Sequence, residues 1–363
     1  MVVNLSVEIC GLKFRNPILT AAGPTVRDGD ALVKAAEGGA GGLVAKTVSV
    51  SPAHVPRPSM VKVKDSILSA ELWSDLPLEQ WLRYEYAKAK KTRLPLIASV
   101  GYKADEIRAI APKVKAAGVD ALELSTQHLG KDLALVTEAT KAAKEVVDIP
   151  VFVKLSPNAL DVTQLARAVE EAGADGIVAI NTLGPGLAID IENAMPMLGS
   201  VSGYGWLSGP AVKPLAVRCV ADICRAVKIP VIGVGGISNG RGAVEFIMAG
   251  ASAVQLSTAA IVRGYKIYGL MADEIAKFMR VKGYNSIADF KGIALRHLPE
   301  QPFRTTAKPP EVIASRCTGC GLCEQYCVYG AVKVVRKIAK IDPVRCYGCG
   351  MCVSVCPVRA VRF

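Results

Sequence analysis

Lys228-Ile229-Pro230-Val231-Ile232-Gly233-Val234-Gly235-Gly236-Ile237 is a short apolar run entered through Ile-Pro and left through paired glycines. Its length and its glycine exit read as a buried strand opening into a loop. Upstream, 212–227 carries apolar residues at helical spacing. Downstream, Ala249-Gly250-Ala251-Ser252 closes another helix with glycine before the apolar run 253–256. The unit recurs. Ala117-Gly118-Val119-Asp120 and Ala172-Gly173-Ala174-Asp175 repeat the helix ending, and Asp148-Ile149-Pro150 repeats the strand entry. Strands are therefore expected at 17–21, 42–46, 95–100, 121–125, 151–155, 176–181, 231–234 and 253–256. Eight evenly spaced units suit an α/β fold of the (β/α)8, or TIM, barrel type better than a doubly wound open sheet. The connections 48–94 and 183–210 are long for that fold. Both follow strands, so both belong at the face where barrels build sites, and they are expected to form a lid.

The chain has 363 residues, 51% hydrophobic and 21% charged, which excludes intrinsic disorder and leaves room for a barrel and a small module. No apolar stretch approaches the ~18 residues of a membrane span. The opening residues lack a basic segment followed by an apolar core, so a cytoplasmic protein is expected. The net charge is +12. Its one dense basic cluster, Lys88-Ala89-Lys90-Lys91-Thr92-Arg93, has no interleaved aromatics and reads as the exposed end of a helix rather than a nucleic-acid surface.

Eight of the eleven cysteines lie between 317 and 356; Cys10, Cys219 and Cys224 are scattered and read as small buried hydrophobes. The eight form a repeat. Arg-Cys-x-Gly-Cys-Gly-x-Cys begins at Arg316 and again at Arg345, 29 positions on, and the fourth cysteines, Cys327 and Cys356, keep that offset. Each copy reads Cys-x2-Cys-x2-Cys-x3-Cys, in which three thiolates can wrap one Fe–S cubane while the fourth ligates the other cluster. The expected sets are Cys317, Cys320, Cys323 and Cys356 for one [4Fe–4S] cluster, and Cys346, Cys349, Cys352 and Cys327 for the second. Zinc would want two well-separated Cys-x2-Cys pairs and does not explain triplets. The module resembles bacterial-type two-cluster ferredoxins, small α+β domains, with Val328 instead of proline after Cys327. From 316 to 363 there are eight Lys/Arg and two Asp/Glu, a difference of +6. That balance suits an acidic redox partner. The expected domains are a barrel at 1–298, a Pro-rich linker at 299–312 and the cluster module at 313–363.

A barrel joined to two clusters needs a centre that takes two electrons and releases them singly, which flavin does and nicotinamide does not. The loops after strands 7 and 8 of a barrel commonly hold phosphate. Here they carry Gly235-Gly236 and Ser257-Thr258, glycine amides and hydroxyls suited to that task. Lys46 and Lys154 each end an apolar strand at the loop face, where a cation can stabilise an anionic reduced flavin. Asn181-Thr182 offers hydrogen bonds to a polar heterocycle.

Asn16-Pro17-Ile18-Leu19-Thr20-Ala21-Ala22-Gly23-Pro24, Ala45-Lys46-Thr47, Lys154-Leu155-Ser156-Pro157-Asn158, Asn181-Thr182, Ser208-Gly209, Gly235-Gly236-Ile237 and Gly283-Tyr284-Asn285-Ser286-Ile287-Ala288-Asp289-Phe290 together resemble the FMN barrel of dihydroorotate dehydrogenases and, more closely, dihydropyrimidine dehydrogenases, whose barrel is followed by a two-cluster module. The resemblance implies FMN among Ala22, Gly23, Lys46, Thr47, Lys154, Asn181, Ser208, Gly209, Gly235, Gly236, Ser257 and Thr258. Glu71-Leu72-Trp73-Ser74 resembles the loop that touches the pyrimidine, so the expected substrate contacts are Ser69, Glu71 and Trp73 together with Asn181 and Thr182. Two positions depart from it. Ser69 stands where the family has asparagine. After strand 4, Glu123-Leu124-Ser125-Thr126-Gln127-His128-Leu129-Gly130 lacks the family's Asn-x-Ser-Cys-Pro, with Ser125 in place of asparagine and His128 at the acid/base position. Histidine carries protons near neutral pH, so His128, with Ser125 and Lys154, forms the expected catalytic set.

The expected function is an FMN- and iron-sulfur-dependent oxidoreductase acting on a CH–CH donor of dihydropyrimidine or dihydroorotate type. Electrons would pass through two [4Fe–4S] clusters to an NAD(P)H-binding flavoprotein subunit or a soluble acidic ferredoxin, in a homodimer or hetero-oligomer. The alternatives are an enzyme for an unrelated unsaturated acid or thioester, and a non-catalytic electron-transfer subunit.

Overall fold

The computed structural model describes residues 3–125, 133–298 and 305–363. The chain divides into two compact units, Met1–Pro299 and Glu300–Phe363. Residues 299–304, part of the linker expected at 299–312, and the run 126–132, which includes His128, lie outside the described residues.

The first unit opens with a hairpin, β1 (Val7–Ile9) and β2 (Leu12–Phe14). Then come β3 (Ile18–Thr20) and β4 (Leu43–Val44), and within the first long connection β5 (Met60–Val63) and β6 (Ser66–Ser69). Next are β7 (Leu96–Val100), β8 (Ala121–Leu124), β9 (Val151–Leu155) and β10 (Gly176–Ala179). The second long connection carries β11 (Leu183–Leu187), β12 (Ile189–Asp190), β13 (Met195–Pro196) and β14 (Tyr204–Ser208). β15 (Val231–Val234) and β16 (Ala253–Leu256) complete the unit's strands.

Eight of these form one parallel sheet in the order β3-β16-β15-β10-β9-β8-β7-β4, and a parallel bridge between Leu19 and Gly42 joins its two edges. This is the expected barrel. Its strands are buried on both faces, which is why they read as apolar runs rather than alternating ones. Helices such as Ala104–Ala116, Val162–Glu171 and Lys213–Ala226 cover the outside. The Asp161 carboxylate caps Val162–Glu171 by accepting from the N–H groups of Thr163 and Gln164. The β1–β2 hairpin places Ile9 and Phe14 in one cluster with Val44, Ile97, Ala121, Phe152 and Ile232, and so plugs the N-terminal end of the barrel. Towards the other end the strands change character. Thr20, Ser99, Glu123, Lys154 and Gln255 are polar, buried, and placed late in their strands.

The two long connections do not form separate flaps. β14 pairs with β6, matching Trp206 to Ser69 and Ser208 to Ile67, so the connections share one antiparallel sheet, β11-β14-β6-β5. The basic cluster lies at the end of the helical segment spanning 78–90, where Lys88 pairs with Asp30 at 2.9 Å and Lys90 with Asp120 at 2.7 Å. Cys219 is buried. Cys10 and Cys224 are only half-buried, and Cys10 Sγ donates to the Asp175 carbonyl at 3.2 Å.

The second unit is small and repeats itself. β17 (Glu311–Val312) pairs with β20 (Val361–Arg362), and β18 (Val332–Val335) with β19 (Ile338–Ile341). One-turn helices at Leu322–Gln325 and Met351–Ser354 follow the two Cys-x-Gly-Cys-Gly runs. Gly319 and Gly348 have φ of 67° and 70°, and Gly321 and Gly350 have 80° and 81°. The glycines therefore recur at 29 residues because the backbone conformation does. Among the described residues no helix is long and apolar enough to cross a membrane.

Candidate active site and cluster module

The C-terminal ends of the barrel strands open into a cavity of about 1040 Å³, partly roofed by the lid sheet. Cofactor pockets span ~300–1,000 Å³, so this one is large enough for a nucleotide-sized group and a substrate.

One end is built from glycines and hydroxyls. Gly235 and Gly236 follow β15, and Ser257 and Thr258 follow β16. The Thr258 hydroxyl donates to Ser208 Oγ at 2.8 Å, which ties the barrel to the last residue of lid strand β14, and Gly209 follows there. Ala22 and Gly23, after β3, close the group; a Cβ at Gly23 would sit 2.9 Å from Ser257 Oγ. Gly236 has φ 74°, and a Cβ there would lie 2.7 Å from the Gly209 carbonyl oxygen. Gly236→Ala is expected to cost about 1–2 kcal/mol in backbone strain alone and to disturb this corner. The check is a lower melting temperature of the barrel unit.

The other end is ionic. Lys46, after β4, is 7% exposed, and its ammonium donates to Glu71 Oε2 at 2.8 Å; Glu71 is 18% exposed. The Glu71 N–H donates to Ser69 Oγ at 3.1 Å, so the residue standing in place of the family asparagine turns the loop that presents the glutamate. Thr47 shares a hydrogen bond with Ser99 at 2.8 Å. Asn181 Oδ1 accepts from the Thr182 N–H at 2.8 Å, and both residues line the cavity. Trp73 Nε1 donates to the Ser51 carbonyl at 3.2 Å, and Ser125 lines the same cavity. Lys154, on β9, donates to Glu123 Oε1 at 3.3 Å and to Gln255 Oε1 at 3.4 Å. Every described residue named above for flavin or substrate lines this one cavity. The donor set fits a group with a phosphate at one end and a polar heterocycle at the other. Glu123 and Gln255 were missed. The only signal was a charged or amide residue inside an apolar strand, as in Ala121-Leu122-Glu123-Leu124.

In the second unit, Cys317, Cys320, Cys323 and Cys356 surround one narrow cavity, although Cys356 lies 33 positions beyond Cys323. Burial raises the Cys352 thiol above its ordinary range, and the neighbouring Cys346, Cys349, Cys323 and Cys327 add to the rise. Backbone N–H groups point at sulfur: Ala339 to Cys317 at 3.4 Å, Ala331 to Cys327 at 3.3 Å and Ala360 to Cys356 at 3.1 Å. Such bonds favour thiolate and tune clusters. Among the described residues no three His, Cys, Asp or Glu side chains converge where a single ion could be held. Cys317, Cys320, Cys323 and Cys356 line one cavity between them, as the ligands of one cluster would.

Residues 4–279 match the family model for dihydroorotate dehydrogenase, and residues 316–360 match that for a 4Fe-4S dicluster domain. A curated relative in Methanosarcina mazei is 42% identical over 304 residues, 80% of this chain and 95% of its own; one in Methanothermobacter thermautotrophicus is 37% identical over 305 residues, 81% of this chain and 99% of its own. Both are named dihydroorotate dehydrogenase B (NAD(+)), catalytic subunit. Each comparison leaves about a fifth of this chain outside the matched stretch. The barrel, the buried lysines at its mouth and the matched length make one conclusion plain: this chain belongs to the dihydroorotate dehydrogenase family of oxidoreductases.

Proposed function

We propose that the chain is the catalytic component of an FMN- and iron-sulfur-dependent dehydrogenase for a small CH–CH donor of the dihydroorotate or dihydropyrimidine class. The observation that carries this reading is the single cavity in which Lys46, Lys154, Asn181 and the Gly235-Gly236 and Ser257-Thr258 loops meet beneath the lid sheet. Bound FMN would take a hydride from the donor and release the two electrons singly.

The chain's own residues do the rest. The glycine and hydroxyl loops hold the phosphate. Lys154 presents positive charge to the flavin ring. Asn181, Thr182, Glu71 and Trp73 orient the substrate under the lid, and Lys46 holds Glu71 in place. Ser125 and His128, the latter outside the described residues, exchange the substrate proton. Two [4Fe–4S] clusters, on Cys317/Cys320/Cys323/Cys356 and Cys346/Cys349/Cys352/Cys327, carry electrons to a separate partner. That partner is an NAD(P)H-binding flavoprotein subunit or an acidic ferredoxin, met by the basic surface of the module.

Flavin reduction by dihydroorotate, dihydrouracil and dihydrothymine, measured in the wild type and in Glu71→Gln, tests this. At least one should reduce the wild-type flavin. Because Glu71 neutralises Lys46, its replacement frees a cation for a substrate carboxylate. The preference for dihydroorotate over dihydrouracil should then rise at least about tenfold, ~1.4 kcal/mol. If all three leave the flavin oxidised, the reading fails, and a relay subunit or an unrelated substrate replaces it.

A further inference from the structure

Inside the barrel, three polar side chains form a closed ring to which the reading above gives no task beyond Lys154. Glu123 is fully buried, Gln255 is 1% exposed and Lys154 5%. Gln255 Nε2 donates to Glu123 Oε2 at 2.5 Å, and the Lys154 ammonium donates to both partners, at 3.3 and 3.4 Å. Glu123 and Lys154 come from adjacent β8 and β9, but β16, which carries Gln255, is three places from β9 in the sheet. The ring therefore reaches across the barrel interior. Lys154 and Gln255 line the cavity; Glu123 does not.

Barrel interiors are ordinarily filled by layers of Val, Ile and Leu. A buried ion pair is a poor substitute on stability grounds, since desolvation offsets its Coulomb gain. Here the pair has one member on the cavity and one behind it, and an amide that serves both. That arrangement fixes an ammonium in space while opposing its field.

We propose that Glu123, clamped by Gln255, is a positioning residue. It holds the Lys154 ammonium at the cavity floor and offsets part of its charge, which keeps the bound flavin from being too strongly stabilised in its reduced, anionic form. This rests on the proposed binding of FMN over Lys154. The flavin then remains able to give electrons up to the clusters, which an unopposed lysine would hinder.

The test is the flavin midpoint potential in the FMN-loaded full chain, read against a reference dye. Glu123→Gln keeps the shape and removes the charge. At a fixed poise its ratio of reduced to oxidised flavin should rise at least about tenfold, equivalent to ~30 mV for a two-electron couple. An unchanged or lower ratio overturns the proposal. Gln255→Met leaves the charges and removes the clamp, so it serves even if the first variant does not fold. FMN binding by its apoprotein, read by fluorescence quenching, should weaken about tenfold (~1.4 kcal/mol), and unaltered binding overturns the clamp. If the wild-type apoprotein binds no FMN, the proposed function itself is wrong, an outcome distinct from either of these.

Discussion

Lys154→Met is expected to destabilise the barrel unit by about 3–5 kcal/mol, because it leaves the Glu123 carboxylate buried without its cation. Glu123 is fully buried, and among the described residues its remaining side-chain partner is the Gln255 amide, which offers a dipole and no charge. The double variant Lys154→Met, Glu123→Gln carries no unpaired charge, so it should recover most of the loss. Denaturant unfolding of the apoproteins reads this directly. If the single and double variants unfold at the same denaturant concentration, the pair does not function as an ion pair. The double variant also isolates the chemistry. It retains the fold but lacks the cation, so the rate of flavin reduction by substrate should drop ~10²–10³-fold, the usual effect of removing one charge-stabilising donor.

The second large effect concerns the clusters. If the first triplet is completed by Cys356 and the second by Cys327, variants should fall into two classes. Cys320→Ser and Cys356→Ser each remove the same cluster, and combining them should cost no more iron than either alone. Cys320→Ser with Cys349→Ser should remove both clusters. Iron and acid-labile sulfide analysis, with electron paramagnetic resonance of the reduced proteins, decides this. Transfer to a one-electron acceptor should collapse in every class, while flavin reduction by substrate stays near wild type. If Cys320→Ser and Cys356→Ser add their losses, the assigned ligand sets are wrong.

Much of this architecture is legible in the sequence, for a physical reason. Barrel strands are buried on both faces, so each must be a continuous apolar run, and each helix must stop before its strand, so glycine recurs at 118, 173 and 250 with φ of 86°, 97° and 108°. The cysteine repeat was legible because cluster ligation fixes both spacing and residue type. The lid was legible only as two long connections. That they pair as β6 with β14 depends on a register between residues more than a hundred positions apart, which local pattern does not encode. The β1–β2 hairpin escaped notice because three-residue strands around Cys10-Gly11 carry too little periodicity. Glu123 and Gln255 escaped it because a polar residue in a strand says nothing of its partner across a barrel. Ser69 read as standing in place of a substrate-binding asparagine; the hydrogen bond its hydroxyl accepts from the Glu71 N–H is a further contact that the sequence does not reveal.

The measurement that bears most directly on the account is an anaerobic titration of the purified chain with dihydroorotate, dihydrouracil and dihydrothymine, following the flavin absorbance and the electron paramagnetic resonance of the clusters together. One of these donors should bleach the flavin band, and reduced-cluster signals should grow in as it does so. Flavin and clusters that dithionite reduces but none of the three donors does would contradict it.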